Sequence, residues 1–297
     1  MRKQLFTYAI HEVAGYINWI YFFHAWGFPP RFASIADVHG CDSCRALWLA
    51  SFPEEERLQA SEAMQLFKEA SRMLAHLDGD FRTKALCRLC EANSDGDDLL
   101  LDGFRLPLLR QQMSVNSGGP FLCLSDFVRP FSLGVKDCVG VFATTVDGRM
   151  ETLFPDDSYR RLLVQTLADR LAEATAEVLH EYVRRSMWGY APDERLTVAQ
   201  LHREEFQGIR PAVGYPSLPD QSVNFLLDEM LQMTDIGLHL TENGAMLPHA
   251  SVSGLMMAHP EAHYFSVGKI SNEQLADYAA RRGFSEADMG KFLRHLL

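Results

Sequence analysis

Arg210 stands in the stretch Gly208-Ile209-Arg210-Pro211-Ala212-Val213-Gly214-Tyr215-Pro216-Ser217-Leu218-Pro219. A guanidinium there suits a carboxylate, because its donors form a planar fork that meets both oxygens. Pro211 biases the Arg210 backbone towards an extended shape. Three prolines fix φ and remove backbone donors, and two glycines let another molecule approach the backbone closely. The stretch cannot continue a helix and lacks the period-two pattern of a sheet centre. An ordinary surface turn with a solvated arginine is the competing reading.

Asp169, Glu173 and Glu177 recur every fourth residue in a helical pattern, so three carboxylates stack along one face. Adjacent like charges cost a helix roughly 0.2–0.5 kcal/mol per pair unless a cation answers them. Arg170, Arg184 and Arg185 are the nearby cations. The face is either solvated or holds a ligand's ammonium group.

Four of six cysteines form two CxxC units, Cys41-Asp42-Ser43-Cys44 and Cys87-Arg88-Leu89-Cys90. Two such units can make a tetrathiolate zinc or iron–sulfur site. The gap between these exceeds the usual spacing and contains a helical pattern. The second unit enters a strand, where residues three apart face opposite ways. Plain buried thiols, and no metal, are therefore expected. Asp37-Val38-His39-Gly40 begins like the corrinoid-binding pattern DxHxxG, but Asp42 occupies the glycine position. The chain is expected to supply no cobalt ligand of its own.

Around these groups, 297 residues suffice for one large domain or two modest ones, and a 47% hydrophobic composition provides a core. The formal charge of -11, without a basic stripe, argues against nucleic-acid or anionic-membrane binding. Met1-Arg2-Lys3-Gln4 opens somewhat like a signal peptide, but His11, Glu12 and Asn18 interrupt the apolar run and no cleavage pattern follows. No apolar stretch reaches spanning length, so a cytoplasmic location is expected.

The aromatic run Tyr16 to Trp26 reads as core filling, with a ligand wall as the alternative. Ser51-Phe52-Pro53-Glu54 reads as a capping box opening a helix that runs to about Leu77. Strand-like runs cover Leu99 to Leu101, Leu122 to Val128 and Cys138 to Val146. A long helix should span about Asp157 to Met187, burying Leu163, Leu167, Leu171, Ala174, Val178 and Leu179. Asp220 is placed to cap a helix to about Asp235, ended by Gly237. Ser251 to Ala258 and His263 to Ile270 read as paired strands, joined by a turn at His259-Pro260-Glu261-Ala262. Ser271 with Gln274 opens a further helix that Gly283 stops, and Ser285 opens the last. No regular βαβ beat and no dinucleotide glycine fingerprint occur. The expectation is α+β, one domain over 1–297, with a mainly antiparallel twisted sheet flanked by helices.

Six strings together resemble one family, the S-adenosylmethionine-binding activation domain of cobalamin-dependent methionine synthase. They are YINWIYFFHAW from Tyr16, NSGGPFLCLSDFVRP from Asn116, LADRLAEATAEVLHEYVRRSMWGYAP from Leu167, GIRPAVGYPSLPD from Gly208, LTENGAMLPHASVSG from Leu240 and HPEAHYFSVGKI from His259. Their order matches and the resemblance runs from about 16 to 283.

The resemblance implies a C-shaped domain that binds S-adenosylmethionine in a groove and restores cobalamin that has slipped to the inactive cob(II) state. The electron comes from flavodoxin or a similar donor, and the cobalamin is carried by a corrinoid-binding methionine synthase module. Carried over by position, Arg210 holds the methionine carboxylate and the backbone at Ala212 meets the adenosyl portion. Glu173 and Tyr264 line the site, and Tyr215, the one residue given a catalytic place, sits between donor and corrin. These types suit the ligand: a guanidinium for its carboxylate, acidic or carbonyl oxygens for its ammonium, and an electron-rich wall for its sulfonium.

Two positions depart from the family. Asn18 stands where an acidic residue is general, which removes the charge-assisted part of an ammonium contact, about 1 kcal/mol. After the proline-rich stretch, Pro219-Asp220-Gln221-Ser222-Val223-Asn224 lacks the histidine and basic residue common there. The expected activity is that of a methyltransferase component, acting by positioning and serving a corrinoid protein on a separate chain. A non-catalytic S-adenosylmethionine sensor, or a chaperone for a corrinoid protein, is the alternative.

Overall fold

The computed structural model describes residues 3–113 and 119–297. Met1, Arg2 and the first three residues of the string from Asn116 lie outside them. Gln4–Ala9 (β1) leads into Ile10–Ala14 (α1) and Trp19–Ala25 (α2), then Asp42–Ala50 (α3) and the long Arg57–Leu77 (α4). Arg82–Asp95 (β2), Asp98–Leu101 (β3), Phe104–Pro107 (β4) and Asp137–Val146 (β5) follow. Ser158–Tyr182 (α5) runs directly into a π-helical turn at Val183–Met187. Val198–His202 (α6), Val223–Leu231 (α7), His239–Leu240 (β6), Met246–Leu247 (β7), Ser251–Met256 (β8), Asn272–Arg282 (α8) and Glu286–Phe292 (α9) complete the order.

The fold is α+β around one antiparallel sheet, ordered β4-β3-β2-β5-β8, with β1 also on β2. The 14-residue β2 is its spine. Its first half pairs with β1 (Gln4 opposite Cys87) and its last residues with β3, while its other edge pairs with β5 over ten positions. Alternation along β2 builds two cores, as a pleated strand requires. Ala85, Cys87 and Leu89 face the cluster containing α1, α2, α4 and α5, whereas Leu86, Cys90 and Ala92 face the cluster containing α7. The sheet is therefore covered on both sides, and it curls into a half-barrel. A third cluster ties α8 and α9 together through Leu275, Tyr278, Met289 and Leu293.

α5 is the element that matters for the site. Asp157 caps it, accepting from Arg160 N–H at 3.0 Å. Leu163, Leu167, Leu171, Ala174 and Leu179 are buried as the helical spacing requires, and Val178 is half-buried. Each buried leucine contributes about 1.5–3 kcal/mol, enough to fix the rotation of the helix and so the direction of its polar face. Ser271 capping α8 and Gly283 ending it at φ +73° also match the sequence signals.

Four expectations fail for local reasons. Ser51 is the C-cap of α3, its hydroxyl donating to Trp48 O at 2.6 Å, so a 3₁₀ turn at Glu54–Glu56 opens α4 instead. Leu122 to Val128 is not a strand: Asp126 takes up the Cys123 N–H and the Arg110 guanidinium, winding Leu124–Phe127 into a 3₁₀ turn. Asp220 lies before the helix start, accepting from Ser222 N–H, Ser222 Oγ and Tyr278 Oη. The helix it was expected to cap begins at Val223 and stops at Leu231, where Gln232 turns left-handed; a separate 3₁₀ turn precedes Gly237. His263 to Ile270 forms no ladder with β8, because its amides scatter: Val267 N–H goes to Pro216 O and Ile270 N–H to Leu296 O. No described helix is long and apolar enough to cross a membrane.

Candidate functional site

The Pro-Gly stretch lies along the free edge of β8. Ile209 and Met257 exchange both backbone bonds at 2.9 Å, Leu255 N–H donates to Pro211 O at 3.0 Å, and Val213 N–H donates to Ser253 O at 2.9 Å. An edge position is where prolines can be accommodated. Two glycines permit the approach. A Cβ on Gly208 would fall 2.1 Å from Met257 O, and one on Gly254 would fall 2.2 Å from Pro211 O. Gly208 was expected to make room for another molecule, but it makes room for the chain's own β8. Gly254 carried no signal in the sequence.

The register decides which groups face outward. Residues 209, 211 and 213 spend their backbone groups on β8, so those of Arg210 and Ala212 point the other way. Arg210 N–H accordingly donates to Tyr264 Oη at 2.9 Å, and Ala212 O accepts from Tyr215 N–H at 3.2 Å. Side chains alternate too. Ile209 and Val213 enter the α7 core, whereas Ala212 packs on the α5 side and the Arg210 guanidinium lies 6.0 Å from the Phe142 ring centre.

Across from the loop, α5 presents Glu173 and Glu177. Arg210 Nη2 donates to Glu177 Oε1, and Tyr215 Oη donates to Glu173 Oε1 at 2.8 Å. The Arg210 side chain is only 9% exposed, yet its Nε has no hydrogen-bond partner among the described residues, and neither has Glu177 Oε2. Burial opposes the Arg210 charge, but Glu177, Tyr264, Glu173 and Tyr215 outweigh it and hold the guanidinium protonated. Burial and the Glu173 carboxylate push the Tyr215 hydroxyl above its ordinary range, and burial does the same to Tyr264. Neither phenol ionises near neutral pH.

Between loop and helix is a cleft of about 670 Å³, in the usual range for small-molecule sites. Asn18, Glu173, Arg210, Ala212, Tyr215 and Tyr264 all line it. They come from the α2 cap, α5, the loop and the segment after β8, which the fold alone brings together. Asn18 Oδ1 also accepts from Ile20 N–H at 3.1 Å as the cap of α2, so part of its acceptor capacity is in use. The aromatic run divides: Phe22 and Phe23 are core, while Tyr16 and Tyr21 line the cleft.

The cation answering the α5 carboxylates is not the expected one. Arg184 goes to Glu194, Arg185 to Glu181, and Arg170 lies over the Tyr21 ring at 5.8 Å. Arg210, from 33 residues further along, pairs with Glu177 instead. Sequence reasoning also passed over His202, whose Nε2 lies 2.9 Å from Tyr16 O, and Glu204, which burial and Glu177 keep more easily protonated than usual. Both line the cleft. The capping box at Thr197 and Gln200 was the available signal for the short helix that ends at His202. Cys87 and Cys90 face opposite sides of β2, as the strand period requires, and burial pushes the Cys90 thiol up to about 12. Cys41 is exposed and Cys44 half-buried at the start of α3, so the expectation of buried thiols holds for the second CxxC unit and fails for the first.

The family model for the vitamin B12-dependent methionine synthase activation domain matches residues 9–283. A solved structure, the crystal structure of the MetH reactivation domain bound to AdoHcy, is 34% identical with a TM-score of 0.87, covering 100% of this chain and 90% of that one.

Proposed function

The chain belongs to the vitamin B12-dependent methionine synthase activation-domain family, and from that membership we propose that it binds S-adenosylmethionine in the cleft between α5 and the Pro-Gly loop. There it holds the methyl donor for reactivation of cob(II)alamin on a corrinoid-binding methionine synthase module. S-Adenosylmethionine supplies the methyl group, and flavodoxin or a similar donor supplies the one electron needed to form methylcobalamin. The similar MetH domain was solved bound to AdoHcy, which supports a nucleoside-bearing amino acid as ligand.

The observation that carries the reading is the Arg210–Glu177 pair. Both are largely buried in the cleft, and Nε of one and Oε2 of the other have no hydrogen-bond partner among the described residues. A zwitterionic amino-acid end answers both charges: its carboxylate meets the guanidinium and its ammonium meets the acidic side. Glu173 and Asn18 complete the acidic and carbonyl side, the outward-facing backbone of Ala212 meets the nucleoside, and Tyr264 lines the wall. Tyr215, half-exposed at the rim, is a positioning residue between donor and corrin, and no step requires a nucleophile here.

Calorimetric titration of the chain with S-adenosylmethionine tests the binding. One site per chain, weakened in Arg210→Ala, is expected; equal affinity in that variant overturns it. Asn18, uncharged and partly committed to the α2 cap, favours a second reading as a sensor without turnover. A methyl-transfer assay with a reduced corrinoid partner separates the two, because a sensor binds the ligand and leaves cobalt unmethylated.

A further inference from the structure

We propose that His39, Cys41 and Cys44 form a binding site for a thiophilic divalent cation, zinc(II), distinct from the cleft. Their ligand atoms all lie within 4.8 Å of one another, a convergence of one nitrogen and two sulfurs. Zinc takes these donors tetrahedrally, and three protein ligands leave a fourth position for water or an incoming group.

Two neighbouring elements hold the cluster. A 3₁₀ segment, Pro30–Asp37, ends with Val38 N–H on Ile35 O at 3.2 Å and delivers His39. Cys41 caps α3, its Sγ accepting from Cys44 N–H at 3.3 Å, while Arg45 N–H bonds to Cys41 O at 3.1 Å. This fixes the two sulfurs on the same side of the first helical turn. Positive potential at a helix start favours thiolate, the form a metal binds. The Arg45 guanidinium, the nearest cation in sequence, faces Asp42 at 3.8 Å. Behind the cluster, Trp48 is anchored by its indole N–H on Ser34 Oγ at 2.9 Å, joining the 3₁₀ segment to α3.

The remaining cysteines do not compete. Cys87, Cys90 and Cys123 are buried and Cys138 is half-buried on β5, pairing with β2 rather than α3, whereas Cys41 is exposed and Cys44 partly so. A CxxC unit opening a helix also suits a dithiol–disulfide pair, in which the imidazole would stabilise the Cys41 thiolate, and the cobalt titration separates that reading from metal binding. The third donor makes the arrangement a ligand set.

The test uses the full chain, reduced and stripped by chelator, titrated first with cobalt(II) as a spectroscopic stand-in and then with zinc(II). One cobalt per chain, with thiolate-to-cobalt charge-transfer absorption bleached by zinc, is expected. Cys41→Ser with Cys44→Ser should abolish the band, and His39→Ala should weaken zinc by about 10-fold or more. Unchanged circular dichroism and S-adenosylmethionine titration in these variants show that folding is intact. No charge-transfer band, a band surviving in the double serine variant, or formation of a Cys41–Cys44 disulfide without metal uptake overturns the proposal.

Discussion

Two buried arginine–carboxylate pairs flank the same stretch of α5 and its π-helical extension, and they are built differently. Arg184 is fully buried and grips Glu194 with Nε and Nη2 at 2.6–3.1 Å, its guanidinium 4.4 Å from the Phe206 ring centre. Arg210 reaches Glu177 through Nη2, has no partner for Nε among the described residues, and opens onto the cleft. The first pair lies away from the cleft: fork geometry and an aromatic shelf hold one conformation, although its Nη1 also lacks a hydrogen-bond partner among the described residues. The second is open, with charge left over for a ligand. Neither burial of an ion pair nor an unpartnered atom on it marks a binding site by itself; the cleft beside the Arg210 pair is what separates the two.

The largest expected effect separates the pairs by stability. Arg184→Ala leaves Glu194 buried without its partner and should cost about 3–5 kcal/mol of unfolding free energy in a urea titration. Should Arg210→Ala cost as much stability, the contrast between the two pairs fails. That variant should instead weaken S-adenosylmethionine by roughly 2–4 kcal/mol by calorimetry.

Between the two arginines lies His180, fully buried, its ring nitrogens unpartnered among the described residues and its ring 4.9 Å from Phe206. Burial, then Arg184 and Arg210, hold its pKa well below 6.5. The folded state therefore binds fewer protons than the unfolded one, and stability present above about pH 6.5 drains away as pH falls. The slope should be about 1.4 kcal/mol per pH unit below that point. Urea midpoints at several pH values check it: His180→Leu should flatten this part of the profile, and an unchanged profile refutes the assignment.

The smallest effect concerns the open pair's neighbour. Glu173→Gln keeps an oxygen for the Tyr215 hydroxyl and should weaken S-adenosylmethionine by only about 1 kcal/mol. A loss matching that of Arg210→Ala would shift the ammonium-binding role from Glu177 to Glu173.

Much of the fold was legible where a periodic pattern ran long. The α5 stripe, the Cys138 to Val146 strand and the Ser271 and Gly283 boundaries of α8 are each signalled by a pattern or cap within one short stretch of sequence. The failures have a common cause. At Ser51, Asp220 and Leu122 to Val128, a polar side chain had several backbone partners within reach, and distant residues such as Tyr278 and Arg110 decided between them. His263 to Ile270 looked like a strand because its residues suit one, but β8 already had β5 on one edge and the Pro-Gly loop on the other.

By itself the sequence determined the helix that carries the acidic face, the stiff loop that carries Arg210, and the family to which both strings belong. Those are properties of neighbours along the chain. Only the tertiary structure decided that Glu177 is the carboxylate Arg210 meets and that His202 and Glu204 join the same cleft. Ionic contacts of this kind depend on distances of a few ångströms between segments far apart in sequence, and no local periodicity encodes such a distance.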